Sequence, residues 1–564
     1  MNPFDHNYFL GYINEVSPQF VKVHFPSSYL LEKFSHRGVH YAGGNVGNFI
    51  VIEGPEYGFL ARIIEIELPD GERKSISEKA IQHEETAFHP SGKAELLLSF
   101  SVFEPARTEK TVSKYPTIGA KVYSCSDEQI ENYVKEFGKK TDKLDNAYAD
   151  LGKLTSNDAY CKVSLNSIFG RHCAIVGTTG GGKSWTVSKL IDETTSKTKN
   201  KVILIDATGE YSKITSNSLL LGINCFFPYQ NLSISDLFFL LRPTGQSQRP
   251  ILLEAIRSLK MVRIAKSQNS DFKANTKIKS EKEKASFNTF YQKQIKEIED
   301  NSCDFNINFL IEQIREECVY PSGYTDRISD PKKWGGYDAK TYDYQTSLLN
   351  RISDLINTDI FNKLLGFQGA PSGCSSIVDK FEEFISQSEE QVLRISFENI
   401  PSSFSVKEII ANSIAAFLLN HARKDKFKTA PVILIVDEAH QFLNKNIKDE
   451  FFESQTLDAF DLIAKECRKY GLFLCLATQM PRDIPVGTLS QMGTFFVHRL
   501  INELDKKAIE SAASSANRSV LSFLPILGEG EALLIGVDFP MPLLVKIAEP
   551  TRKPDSNTPR LTPK

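Results

Sequence analysis

The sequence predicts an α/β protein in three parts: a mostly parallel core sheet, a small β-barrel in front of it, and a helical insertion that splits it. Three observations carry this. Four apolar runs read as buried strands of one sheet, because each is continuous and each ends in polar or acidic residues. They are "CAIV" before Gly177, "KVILIDATGEY" over Lys201–Tyr211, "VILIV" before Asp437, and "GLFLCLATQ" over Gly471–Gln479. Before residue 125 the texture changes to short runs rich in β-branched and aromatic residues, separated by turns. Finally, Lys183 and Asp437 lie 254 positions apart. That is far more than the connections within one sheet need.

In chain order, residues 1–125 hold "YFLGYINEVSP", "FVKVHF", "NFIVIEG", "GFLARIIEIEL" and "AELLLSFSVF", the pattern of a small barrel that leaves no exposed edge. Residues 126–160 read as a helical linker. Residues 161–246 form the first part of the core. Residues 247–385 carry helical periodicity in "RPILLEAIRSLKMV", "FNINFLIEQIREECV" and "YQTSLLNRISDLINTDIFNKLL", and form the insertion. Within it, "KIKSEKEK" mixes both charge signs and reads as a solvated helix or mobile loop. Residues 386–550 complete the core. Residues 551–564 are Pro-rich, polar and basic, and are expected to be disordered or ordered only against a neighbour.

The chemistry lies in "GTTGGGKS", Gly177, Thr178, Thr179, Gly180, Gly181, Gly182, Lys183 and Ser184, followed by Trp185. This fits the pattern G-x-x-x-x-G-K-[S/T]. The glycines let backbone N–H groups approach phosphate oxygens, and the helix that follows opens with its positive dipole end there. The loop sits between the strand "CAIV" and a helix with Val187, Leu190 and Ile191 on one face, the order that the mechanism requires. A nucleoside triphosphate, ATP with Mg²⁺, is the expected ligand. Lys183 reaches the β and γ phosphates and Ser184 ligates Mg²⁺. Asp437 holds the same metal, Glu438 polarises the attacking water, and Gln479 senses the γ-phosphate or positions water. Asp206 and Glu210 are expected near the same sheet edge.

Composition narrows the class further. The chain has 564 residues, 41% hydrophobic and 24% charged, an ordinary globular balance for two to four domains. Its apolar runs, "VILIV" among them, are far short of the ~18 to 20 residues that span a bilayer, so a cytosolic protein without a membrane partner is expected. The nine cysteines are scattered without C-x-x-C pairs, which excludes a zinc site and a disulfide framework. A net charge of −3 excludes a surface that coats nucleic acid everywhere, while leaving room for a local basic channel.

Taken together, "GTTGGGKS", "LIDATGEY", "LIVDEAHQFL", "AKECRKYGLFLCLATQMPRDIP", "LSQMGTFFVHRL" and "LPILGEGEALLIG" resemble the HerA family of ring-forming ATPases, relatives of the FtsK-type DNA translocases. The resemblance covers most of the chain, and six motifs occur in order. Two positions depart from the family pattern: Cys467 stands where glycine is usual, and "DATGEY" replaces Asp-Pro-His-Gly-Glu-Tyr. The tetrapeptide "DEAH" is shared with a class of RNA helicases whose other motifs are missing here.

The resemblance implies a RecA-like P-loop NTPase core, an N-terminal HAS-barrel-like domain and a homohexamer with ATP sites between subunits. It implies a neighbour's arginine at the γ-phosphate, Arg468 first and Arg499 second. It also implies double-stranded DNA as the track and a partner enzyme, a NurA-like nuclease for DNA ends or an anti-phage defence effector. The alternative is an ATP-gated platform that scaffolds and regulates an effector without moving DNA. A conjugation or secretion ATPase is the weaker third reading, since such relatives work at a membrane.

Overall fold

Alternation along the core strands builds two apolar layers, one on each face of a single sheet. Ala174 and Val176 face one layer while Cys173 and Ile175 face the other, and the same split divides Ile203 and Ile205 from Val202 and Leu204. A strand covered on both faces must be apolar throughout, which explains the unbroken runs in the sequence. The structure, a computed structural model, describes residues 3–555 apart from 33, 37–38, 42, 72–87, 104–107, 110–113, 137–146, 157–158, 270, 326–327, 387–388, 402–404, 444–456, 514–517 and 540.

Among the described residues the sheet has eleven strands. From one edge they run Ser218–Leu220, Val392–Ser396, Lys201–Asp206, Val432–Val436, Leu472–Thr478, Cys173–Val176 and Thr494–Val497, all parallel. Glu531–Gly536, Leu543–Ile547, Tyr148–Leu154 and Tyr160–Ser164 then extend it in antiparallel fashion. The four strands expected from the sequence lie side by side in its centre.

In front of the core, the strands Phe9–Val16, Phe20–His24, Ser91–Ser101, Tyr57–Glu67, Phe49–Ile52 and Lys121–Ser124 close on one another through the pairing of Phe20–His24 with Ser91–Ser101. Leu10, Val23, Ile50, Ala61 and Ala94 fill this barrel. Inside its wall the Arg62 guanidinium lies 3.0 Å from Glu95, with both side chains buried. The Arg62 guanidinium also sits 5.4 Å from the ring centroid of Phe523, which belongs to the core.

Three expectations need correction. Residues 126–160 are no linker: after the helix Asp127–Glu136 they supply the strand Tyr148–Leu154 of the core sheet, and Ala149 and Leu151 are buried in its apolar layer. Polar residues between the buried positions disguised this strand. "KIKSEKEK" is a loop whose residues are mostly accessible, as expected, but Lys279 within it is buried, pairs with Glu317, lies 3.4 Å from Glu254 and stands over the rings of Phe287 and Trp334. The tail begins ordered against the chain itself. Arg552 Nε donates to Asp192 at 2.7 Å and the Asp555 amide donates to the Glu210 carbonyl at 2.7 Å, while residues 556–564 lie outside the described residues.

The insertion is helical over Gln248–Gln268, Leu310–Glu317, Thr346–Asn357, Asp359–Leu365 and Ile377–Ser386, with a small hairpin at Gly323–Thr325 and Ile328–Asp330. It has no separate main core: Leu252, Ile256, Ile314, Leu348 and Ile352 join the layer against the sheet. Among the described residues no helix is long and apolar enough to cross a membrane.

Candidate nucleotide site

Parallel strands that end side by side place their following loops along one sheet edge, and the glycine-rich loop is held there from behind. After Cys173–Val176 the chain turns through Gly177, Gly180 and Gly182, the last two at φ 73° and 107°, before the helix Lys183–Lys197 begins. A Cβ on Gly182 would stand 2.9 Å from Gly530 Cα, and one on Gly177 would stand 2.5 Å from His498 Cβ. The loop is therefore glycine because its outer wall is backbone. The helix is anchored by Val187, Leu190 and Ile191, all fully buried, each contributing about 1.5–3 kcal/mol. Thr178 fixes the turn by donating its amide, at 3.0 Å, and its hydroxyl, at 3.2 Å, to the Arg499 carbonyl. Gly181 lies against the same segment.

Lys183 is 6% exposed, and its ammonium donates to the Thr178 carbonyl across 3.4 Å, a long bond for a buried charge. Burial pulls its pKa below the ordinary lysine value, against which Glu438, Asp437 and Glu210 act. The Ser184 hydroxyl donates to Glu210 Oε2 at 2.7 Å. Asp437 is 3% exposed, and the buried Tyr211 donates its hydroxyl to Asp437 Oδ1 at 3.3 Å. Burial, followed by the charges of Glu438, Asp206 and Glu210, pushes Asp437 well above the usual aspartate range.

Glu438 has left-handed backbone, φ 44°, a conformation that costs a non-glycine residue energy and is stored mostly at functional sites. Burial raises its pKa, but His440 and Gln479, with Lys183 nearby, outweigh that and hold it below the usual glutamate value. Gln479 bridges the two halves of the site: its amide donates to Glu438 Oε1, and its oxygen accepts from Thr179 Oγ1 at 2.6 Å.

Not every sequence candidate joins this cluster. The indole N–H of Trp185 donates to the Ala548 carbonyl at 3.2 Å and the ring packs into an apolar layer, so its side chain faces away from the loop; its backbone stays in the helix's first turn. Arg468 lies on the short helix Cys467–Tyr470, before the strand Leu472–Thr478, and so at the opposite sheet edge, ~20 Å from Thr478 by strand rise. There it is exposed and lines a cavity of about 340 Å³ with Arg171 and His172. Arg499 has an exposed side chain, while its carbonyl holds the chain's own loop.

Sequence reading missed Tyr211, His440 and His498. His498 is fully buried, with Nε2 2.9 Å from Thr186 Oγ1 and Nδ1 2.8 Å from the Glu531 carbonyl, so it braces the helix from behind. Its local sequence, "VHRL" directly after a buried strand, carries no sign of that role.

The donors fit a magnesium-bound nucleoside triphosphate. A glycine cradle with a buried ammonium suits phosphate, and the Ser184 hydroxyl with the Asp437 carboxylate are hard oxygen donors. A divalent cation would also relieve the crowded negative charge that raises Asp437. The arrangement is that of an ATP-hydrolysing P-loop enzyme.

Comparison with known proteins agrees. A family model described as "Helicase HerA, central domain" matches residues 149–422. A probable helicase of Methanocaldococcus jannaschii is 26% identical over 444 residues, covering 77% of this chain and 71% of that protein. A DNA double-strand break repair helicase HerA of Sulfolobus acidocaldarius is 22% identical, covering 79% and 76%. Among solved structures, VirB4 of Thermoanaerobacter pseudethanolicus aligns with a TM-score of 0.45 at 16% identity, covering 71% of this chain and 96% of that one. Through residues 149–422 the chain matches the HerA central-domain family.

Proposed function

We propose that this chain is the subunit of a homohexameric, ATP-driven motor that moves along double-stranded DNA. One observation carries the reading: the glycine loop, Lys183, Ser184, Asp437, Glu438 and Gln479 share one sheet edge, while the exposed Arg468 stands at the other. An arginine so placed serves a nucleotide only across a subunit boundary, and a head-to-tail ring supplies that boundary.

In this reading the loop Gly177 to Ser184 offers the amides of Thr179, Gly180, Gly182, Lys183 and Ser184, with the first turn at Trp185, to the phosphates, and Lys183 neutralises the β and γ groups. Ser184 and Asp437 hold Mg²⁺, which when bound offsets charge on the phosphoryl oxygens. Glu438 takes the proton of the attacking water. Gln479, tied to both Thr179 and Glu438, relates the loop to the base. Arg468 of one subunit meets the phosphates of the next. Arg499 is the weaker choice, since its backbone already serves its own loop.

DNA as the track is supported by the relatives' names as DNA repair helicases. A net charge of −3 suits a ring in which only the pore is basic. The working partner is a NurA-like nuclease or a defence effector in the cytoplasm. The test is the ATPase rate with and without linear double-stranded DNA across a salt series. Stimulation that fades as salt rises supports a motor gripping phosphates, and a rate indifferent to DNA overturns it.

A second reading has its own observation. The barrel domain holds large apolar side chains in solvent, Tyr29 at 60%, Phe103 at 82% and Ile118 at 72% exposure. Such residues suit a partner surface. Under this reading the ring is an ATP-gated platform for an effector, and DNA leaves the turnover rate unchanged.

A further inference from the structure

The turn from Ala207 to Tyr211 touches both halves of the nucleotide site. Ser184 Oγ donates to Glu210 Oε2 at 2.7 Å, and the next residue, Tyr211, donates to Asp437 Oδ1 at 3.3 Å. The turn is fixed from beneath by Asp206. One of its oxygens accepts from the amides of Thr208 and Gly209 at 3.2 and 2.8 Å. The other accepts from the Tyr211 amide at 3.2 Å and from Arg394 Nε at 2.7 Å. Gly209 is at φ 89°, the left-handed region that favours glycine. From outside, the Asp555 amide donates to the Glu210 carbonyl at 2.7 Å, and Asp555 pairs with Lys213 at 2.9 Å. The direction of the Glu210 carboxylate is thus set by backbone held on several sides.

The chemistry of a hydroxyl ligand explains what that direction is for. A serine oxygen that binds a hard cation uses a lone pair and keeps its proton, so its O–H needs an acceptor on the side away from the cation. Glu210 already accepts that O–H. It also places a third carboxylate charge beside Asp437 and Glu438, and its charge acts on both Lys183 and Asp437.

We propose that Glu210 is a positioning residue of the Mg²⁺–nucleotide site: it turns the Ser184 lone pair toward the cation and thereby sets how strongly Mg²⁺ tightens nucleotide binding. The inference rests on the reading of Lys183, Ser184 and Asp437 as that site.

The test is titration of the full chain with a fluorescent ADP analogue, once in EDTA and once across a Mg²⁺ series, for wild type, Glu210→Gln and Glu210→Ala. Both variants are expected to keep wild-type affinity in EDTA and wild-type melting. The Mg²⁺ midpoint is expected to rise about 10-fold or more in Glu210→Ala, as for other residues that orient a metal ligand. Glu210→Gln, which keeps an acceptor oxygen and loses the charge, should fall between. Unchanged Mg²⁺ midpoints in both variants overturn the proposal. So does an equal loss in EDTA and in Mg²⁺, which would mark a disturbed loop. A wild-type chain that binds no nucleotide, no better than Lys183→Ala, overturns the site itself and is distinguishable from both.

Discussion

Gln479 and Glu438 are hydrogen-bonded across adjacent strand ends, the glutamine amide donating to the glutamate carboxylate. The same carboxylate has His440 Nδ1 3.3 Å from its second oxygen, and its backbone is held at φ 44°. A glutamate fixed in this way is ionised at neutral pH and aimed, the two properties that a base for water needs.

Replacing it by the isosteric amide keeps the shape and removes the proton acceptor. Glu438→Gln should therefore bind ATP with wild-type affinity and hydrolyse it about 100-fold or more slowly. Equilibrium binding of a labelled nucleotide beside a phosphate-release assay separates the two. Weakened binding would show that Glu438 holds the loop and is not the base.

Lys183→Ala should abolish nucleotide binding. The ammonium is buried among Glu438, Asp437 and Glu210, so its removal leaves uncompensated carboxylates facing an anionic ligand. Titration with the same labelled nucleotide checks this, and normal affinity would refute the site.

Much of this arrangement was legible in the sequence, for a physical reason. The central strands are apolar on both faces, and the loop needs glycine where its wall is backbone, so both leave continuous signals at Cys173–Ser184 and Val432–Glu438. The strands Tyr148–Leu154 and Tyr160–Ser164, at the antiparallel end of the sheet, were not legible, because they alternate buried with accessible residues and carry Lys153 and Lys162. His498 escaped notice because a brace behind a loop is chosen by shape and hydrogen bonds to Thr186 and the Glu531 carbonyl, which no local pattern records. Lys279 misled for a similar reason: its partner Glu317 is distant in sequence, and "KIKSEKEK" alone reads as a solvated surface.

The buried histidines predict an acid-labile fold. Burial, aided by nearby Lys183, pushes His498 down to about 4, and burial, aided by Arg468, does the same to His172. Both stay neutral when folded but take up a proton near 6.5 once unfolded, so the unfolded state binds more protons between those values. Stability is therefore constant above the upper value and falls as pH drops toward 4, by about 2 kcal/mol per histidine between pH 7 and 5. Melting temperatures at pH 5, 6 and 7 should decline, and His498→Asn should be less stable at pH 7 with a shallower decline. An unchanged pH slope in that variant would assign the acid sensitivity elsewhere.

The two sheet edges make the strongest demand on the assembly. Arg468 lies at the opposite edge from its own glycine loop, so Arg468→Ala should leave nucleotide binding by its own subunit intact while the homogeneous ring loses turnover. Lys183→Ala subunits should be inactive for the opposite reason, keeping the arginine while losing the nucleotide. Mixing the two inactive proteins creates boundaries at which an intact loop faces an intact Arg468. The mixture should then recover a fraction of wild-type activity that follows the mixing ratio, measured as ATP turnover after subunit exchange. A mixture as inactive as its components, with mixed rings confirmed by differently tagged subunits, would exclude Arg468 as the residue that crosses the boundary.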